Sequence, residues 1–273
     1  MKYKIGDVAR ILGISTDLLR YYEKKGVVTP YKDAHNDYRY YDSWDINFLM
    51  DCLWFKNFGF SIEQIADMVR IPSATDLEDI FLYKEDELRS TIRRCELLLR
   101  RSEEHRTQLR RIEPMLGVCD LQDSPRILRY INRVGNEYPS GEGLETFARK
   151  WLRAMPFNHR CFEISLSALN GGEGDTRWGF SLHENYVEQL DFPSEAPMEI
   201  FDSHPCVHTV FSSCGKDNFT PRHLDYALDW MRAQGLSPAG PAIGELVASV
   251  FADNQFRGYF ECWIPYSPKT ERR

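Results

Sequence analysis

Two sets of residues in this 273-residue chain have types and spacings suited to recognition chemistry. Arg20-Tyr21-Tyr22 and, after a polar link, Tyr38-Arg39-Tyr40-Tyr41 gather guanidinium groups and phenols. A guanidinium offers planar paired donors to a phosphate or a guanine edge. A tyrosine hydroxyl reaches a phosphate while its ring packs beneath. Tyr22 and Tyr41 continue apolar faces and are expected in the core; Tyr21, Tyr38, Tyr40 and Arg39 are expected to meet a phosphate backbone. Thr16 and Arg20 are placed to touch base edges, and Lys24 and Lys56 to reach phosphates. The second set is Tyr259, Glu261 and Trp263, which share one face of a strand by alternation. A carboxylate between aromatic rings suits a lipophilic cation, because charge and ring faces act together. Phe147, Trp151, Trp178 and Phe180 are expected to add walls, with Tyr186 and Tyr226 behind them. Core packing accounts for each aromatic as well, and an exposed edge-strand position accounts for Glu261.

The elements that must position the first set are short helices. Ile5, Val8, Ala9 and Leu12 fall on one helical face. Gly13 ends that helix, Ser15 caps the next, and Leu18, Leu19 and Tyr22 give the second its apolar stripe before Gly26. Two helices about a glycine turn make a helix-turn-helix. Trp44 to Phe55 and Ser61 to Val69 are predicted as further helices, with Ser61 and Gln64 in capping-box spacing. From Leu77 to Glu113 the pattern becomes a long, charge-dense helix ended by Pro114 and Gly117. Leu88, Ile92, Cys95, Leu99, Ser102, Arg106 and Leu109 alternate at spacings of four and three, a coiled-coil seam. A helix this charged needs a partner, so a homodimer is predicted.

Beyond it lies a mixed domain. Strands are predicted over Ile127 to Val134, Phe162 to Leu169, Trp178 to Leu182 and Val207 to Ser212, then a closing pair over Leu246 to Phe251 and Gly258 to Pro265. Helices are predicted over Gly143 to Ala154 and Pro221 to Gln234.

On these residues the chain resembles the MerR family of transcription regulators. The matching blocks are Ile5-Gly6-Asp7-Val8-Ala9, Leu19-Arg20-Tyr21-Tyr22-Glu23, Tyr38-Arg39-Tyr40-Tyr41, and Phe58-Gly59-Phe60-Ser61-Ile62 followed by Ile65. The resemblance implies an α+β architecture in three parts. Residues 1–75 form a winged helix-turn-helix DNA-binding domain, its second helix entering the major groove and the next helix pair acting as a second wing. Residues 76–118 form an antiparallel coiled coil. Residues 119–273 form an effector-binding domain. Gly240-Pro241 and Tyr259-Phe260-Glu261-Cys262-Trp263-Ile264-Pro265 resemble the GyrI-like ligand-binding domain of multidrug-sensing regulators, in which Glu261 matches a buried glutamate that meets cationic ligands. The implied mechanism is activation. An effector-bound dimer bends and untwists an overlong promoter spacer so that RNA polymerase can engage both promoter elements. The alternatives are hydrolysis of a reactive small molecule at Glu261, and DNA bending without an effector.

Bulk properties bound these readings. The formal net charge is −7, yet residues 1–40 hold eight basic and five acidic side chains, a net +3, while residues 120–273 carry a net −6. A basic end for phosphates and an acidic end for something else fit that split. No apolar run approaches the ~20 residues of a membrane span, and the first residues lack the apolar core of a secretion signal. A cytoplasmic protein with no membrane partner is expected. Seven scattered cysteines include no C-x-x-C pair, which argues against a disulfide framework or zinc site. His204, Cys206 and His208 alternate on one strand face, but an ordinary strand explains them. No metal, cofactor or catalysis is expected.

Overall fold

In the computed structural model, residues 2–33, 38–135, 137–138, 144–193, 198–215, 219–252 and 254–268 are described. They form two compact units, Met1–Ile92 and Arg93–Arg273.

Local rules set the first unit. Strand β1 (Tyr3–Lys4) leads into α1 (Ile5–Leu12), which Gly13 ends in the left-handed region at φ 66°. That conformation is nearly free for glycine and strained for other residues. Ser15 then caps α2 (Thr16–Lys24), its hydroxyl accepting from the Leu18 N–H at 3.1 Å. The short strands β2 (Tyr31–Lys32) and β3 (Arg39–Tyr41) join β1 in the order β1-β3-β2. Helix α3 (Ser43–Asn57) starts from an Asp42 cap. Helix α4 (Ile62–Met68) starts from the predicted capping box, Ser61 accepting from Gln64 N–H and donating its own N–H to the Gln64 side chain. Val8, Leu19, Tyr22, Tyr41, Leu49 and Ile65 are fully buried at the centre of this unit.

Helix α5 runs unbroken over Ala74–Met115, longer at both ends than the sequence predicts. Ser73 caps it, accepting from Asp76 N–H at 3.1 Å, and Pro114 sits in its last turn rather than beyond it. In the first unit, Leu77, Ile80 and Phe81 pack on the core, and the buried Lys84 donates to the Gly59 carbonyl at 3.0 Å. In the second unit, Leu97 and Leu98 pack against a core centred on Trp151, and Ile112 is buried.

The second unit is a twisted antiparallel sheet flanked by helices. Its elements are β4 (Cys119–Asp123), β5 (Ile127–Val134), α6 (Leu144–Arg153), β6 (His159–Ile164), α7 (Leu166–Leu169), β7 (Thr176–His183), α8 (Glu184–Gln189), β8 (Glu199–Phe201), β9 (Pro205–Cys214), α9 (Asp225–Ala233), β10 (Leu236–Pro238), β11 (Ala242–Ala252) and β12 (Gln255–Pro268). The strands run in the order β4-β9-β12-β11-β6-β7-β5-β8, with β10 paired to β12. The order contains a repeat. Segments β5-α6-β6-β7 and β9-α9-β11-β12 share one plan, and each fills three adjacent strands with its first strand outermost. The two repeats meet where β6 pairs β11, over four register pairs from Ala242↔Ile164 to Glu245↔Cys161.

The strand predicted over Phe162 to Leu169 stops at Ile164. Ser165 accepts from Ala168 N–H at 3.2 Å and starts helix α7 instead. The helix predicted from Pro221 begins as a 3-10 turn, Pro221–Leu224, before α9. Strand β11 begins at Ala242, four residues before the predicted start.

One face of the sheet is apolar: Phe162, Ile164, Val207, Phe211, Phe260, Cys262 and Ile264 form its core with Ala227 and Met231 of α9. Gly179 on β7 lies tightly against β5, where an added Cβ would overlap the Tyr130 carbonyl. Among the described residues, no helix is long and apolar enough to cross a membrane.

Candidate functional site

Cations and phenols stand on the outside of the first unit. Thr16 opens α2 and is half-buried, while Arg20 and Lys24 are exposed further along it. Arg20 pairs with Asp17 at 3.1 Å, a surface contact that costs little to exchange for a phosphate. Tyr21 is exposed and donates to Glu63 at 3.0 Å; Lys25 also reaches Glu63 at 2.7 Å. Those contacts, Lys25 first, hold the Glu63 carboxyl down at about 2. Arg39 Nε donates to Glu23 at 2.5 Å, and the buried Tyr41 hydroxyl donates to the same carboxylate, so Glu23 ties the β3 strand to α2. Burial, then Glu23, raises the Tyr41 pKa. Tyr38 is exposed with Lys4 over its ring at 5.5 Å; Tyr40 is half-buried, and Lys2 lies 4.1 Å over Tyr31. Lys56 is exposed near the end of α3. Tyr22 and Tyr41 are fully buried.

The seam residues lie on the open side of α5. Leu88, Ile92, Leu99 and Leu109 are 43%, 57%, 63% and 42% exposed, and Cys95, Ser102 and Arg106 are exposed with them.

The expected effector residues do not converge. Tyr259, Glu261 and Trp263 share one sheet face. Register runs Trp178↔Phe162, Phe162↔Gly244 and Gly244↔Cys262, which puts Trp178 on the opposite face. Phe180, stacked on the fully buried Trp151 with ring centroids 6.1 Å apart, belongs with Trp178. Trp178 carries the Arg133 guanidinium over its ring at 4.8 Å. Tyr186 is buried and Tyr226 bonds Thr209 at 2.6 Å. The side chain of Phe147 lies outside the described residues. Glu261 is largely buried, and its Oε1 meets His208 Nε2 at 2.8 Å; the other nitrogen of that fully buried histidine meets Asp120 at 2.8 Å.

Beside it lies a group that the sequence reading passes over. Glu245, register partner of Glu261 on β11, is 1% exposed. Ser181 donates to its Oε1 at 2.5 Å, and His183 Nε2 lies 3.2 and 3.0 Å from its two oxygens. His159 Nδ1 stands 3.2 Å from Oε2, off the direction of a hydrogen bond. Burial alone would raise the Glu245 pKa, but His159 and His183 hold it well below the carboxylate range. Burial alone would lower the His183 pKa, but Glu245 raises it above the usual histidine value. Burial, then Glu245, pushes the Cys161 thiol up to about 12, so it is no nucleophile here. The far side of His159 is closed by α5, where Arg101 Nη2 meets Nε2 at 2.5 Å and Arg101 Nε donates to the Pro156 carbonyl at 3.0 Å.

His159, His183 and Glu245 have metal-ligand types within reach of one another. Arg101 weighs against that use. A guanidinium only donates, so His159 Nε2 accepts and Nδ1 carries the proton, leaving no lone pair for a metal.

A cavity of about 550 Å³ opens against this cluster, lined by Leu98, Arg101, Ser102, His105, Asn158 and Val247 among others. A spacing signal for its helical wall exists: Leu98, Arg101, His105, Gln108 and Ile112 form a second stripe at steps of three and four. The signal for Glu245 is a lone carboxylate inside the apolar run Ala242-Ile243-Gly244-Glu245-Leu246-Val247.

Residues 3–70 match a family model described as MerR HTH family regulatory protein. The HTH-type transcriptional regulator CueR of Escherichia coli O157:H7 is 28% identical over 120 residues, 44% of this chain and 85% of that protein. The HTH-type transcriptional regulator slr0701 of Synechocystis sp. is 32% identical over 115 residues, 42% of this chain and 80% of that protein. The HTH-type transcriptional activator mta of Bacillus subtilis is 33% identical over 73 residues, 27% of this chain and 28% of that protein.

Proposed function

Because the chain belongs to the MerR family of helix-turn-helix regulatory proteins, we propose that it is a transcription activator that binds promoter DNA as a homodimer and answers to a small molecule. The observation that carries this reading is the outward array on and around α2. Thr16 and Arg20 read base edges; Tyr21, Lys24, Tyr38, Arg39, Tyr40 and Lys56 hold the backbone. Exposed cations fit a strongly salt-dependent contact. Few of these groups reach bases, so much of the specificity comes from DNA shape and half-site spacing.

The homodimer forms along Leu88, Ile92, Cys95, Leu99 and Leu109, a stripe of apolar side chains that one chain leaves in solvent. Residues 1–75 act as the reader, 76–118 as the pairing helix and 119–273 as a GyrI-like effector-binding domain. Support for the last comes from its antiparallel sheet flanked by helices and from the cavity beside α5. Glu261 was expected to meet a lipophilic cation. Its carboxylate already accepts from His208, and most of its expected aromatic partners lie across the sheet, so we place the effector in the cavity instead. The effector favours the DNA-distorting state of the dimer, which brings the promoter elements into register for RNA polymerase.

Selection from random DNA duplexes followed by footprinting tests the reading. A two-fold symmetric site, protected with central distortion that grows with effector, is expected. Failure to enrich any duplex above non-specific binding would sink the regulator reading.

A further inference from the structure

Arg101 is a buried charge without a counter-charge. It is 6% exposed, and none of its acceptors carries a negative charge: the Pro156 carbonyl at 3.0 Å, Gln108 at 3.4 Å and His159 at 2.5 Å. Among the described residues, no carboxylate stands within ion-pair distance of it. Glu245, beyond His159, is already matched by His183. A guanidinium has five N–H donors, so about two remain unclaimed. Burying a cation this way is expensive unless an anion completes it.

The cavity beside it is shaped for that anion. Leu98, Met155, Pro156, Leu246 and Val247 give apolar walls, and neither aspartate nor glutamate lines it. Three of its lining residues carry buried polar atoms with no partner, His105 Nδ1, Asn158 Oδ1 and His159 Nδ1. Burial, then Arg101, hold the His105 pKa below its usual value, so near pH 7 the ring is neutral and offers a donor as readily as an acceptor.

We infer that this cavity binds a small organic acid, its carboxylate or sulfonate on Arg101 and its apolar body against Leu98, Met155 and Val247. The inference rests on the effector-responsive reading and changes the ligand's charge from cation to anion. It also assigns the coupling. Arg101 and Leu98 lie on the pairing helix, next to the seam residues Ser102 and Leu99, so the acid touches the dimer interface through one helix.

The test is equilibrium dialysis of the full chain against naphthoate, naphthamide and naphthylmethylammonium, which share a ring system and differ in charge. Naphthoate is expected to bind at least about tenfold more tightly than the other two, from the charge-assisted hydrogen bonds it alone makes. Arg101→Gln should lose at least that factor, with circular dichroism confirming the fold. Leu98→Trp, which fills the cavity and keeps the charge, should lose as much. A tighter ammonium, no binding of any of the three, or unchanged naphthoate affinity in Leu98→Trp overturns the inference. Binding of a selected DNA duplex, followed by anisotropy on the same preparation, separates the two readings. Intact selective DNA binding without naphthoate binding sinks only the acid site, whereas absent selective DNA binding sinks the regulator.

Discussion

Replacing Glu245 with glutamine keeps the shape of the side chain and removes its charge. The loss falls on His183, whose ring is 28% exposed and whose cation depends on this carboxylate. Breaking a buried ion pair from one side costs about 3–5 kcal/mol, and partial exposure of the histidine argues for about 3. In a domain of this size each kcal/mol moves the melting point by roughly 2–4 °C, so the variant should melt roughly 6–12 °C lower. The effect has a pH window. The raised pKa of His183 gives stability that is complete below its unfolded value of about 6.5 and lost as pH rises through the folded one. The lowered pKa of Glu245 gives stability that is complete above about 4.3 and lost as pH falls through its folded value. The gap between the two proteins should therefore be widest between about pH 5 and 6.5 and close towards pH 9. Scanning calorimetry across that range measures it. A gap under about 2 °C at pH 6, or one that is the same at pH 6 and 9, would refute the ion pair as a source of stability.

Further outcomes follow from other parts of the molecule. Ile92→Glu with Leu99→Glu places charges in the exposed stripe of α5 and should weaken the homodimer by at least about a hundredfold in sedimentation equilibrium, since each buried aliphatic side chain contributes about 1.5–3 kcal/mol; an unchanged dimer constant would put the interface elsewhere. Thr16→Ala or Arg20→Ala should cost about 1–3 kcal/mol on the selected duplex and little on random DNA, whereas Lys24→Ala should weaken both alike and lower the salt slope by about one. Equal losses on both duplexes from Thr16 and Arg20 would remove direct base reading. Gly179→Ala forces a methyl group against the Tyr130 carbonyl and should cost about 1–3 kcal/mol in urea unfolding; a neutral result would show that β5 and β7 have room to part.

Much of the fold is local enough to be legible in the sequence. Gly13, Ser15 and the Ser61–Gln64 box each act within four residues, and all three stand in the structure as their chemistry dictates. The long helix is legible from its period, and the strand Ile127–Val134 from its alternation and composition. What escapes is whatever depends on register between distant segments. Glu245 meets Ser181 and His183 from more than 60 residues away, and Arg101 meets His159 across 58. Which sheet face Trp178 takes follows from pairing with β6, which the sequence leaves open. The helical stripe ending at Ile112 is regular, but its members Arg101, His105 and Gln108 are polar, so a search for apolar periodicity passes over it.

The joint between the two sheet repeats is four register pairs long, against nine for the adjacent β11–β12 ladder. A short ladder is the part of a sheet that can change its twist while breaking the fewest hydrogen bonds. At roughly 4.8 Å per strand, the outer strands of each repeat lie about 10–15 Å from that joint. A change of only about 5° there would swing an outer strand by about 1 Å, by simple leverage at that spacing. Glu245 and His159 sit on the two strands of the joint, and Arg101 clamps the histidine from α5. The joint is therefore a fulcrum: whatever loads Arg101 bears on the short ladder between the two repeats, and the arms on either side multiply its motion.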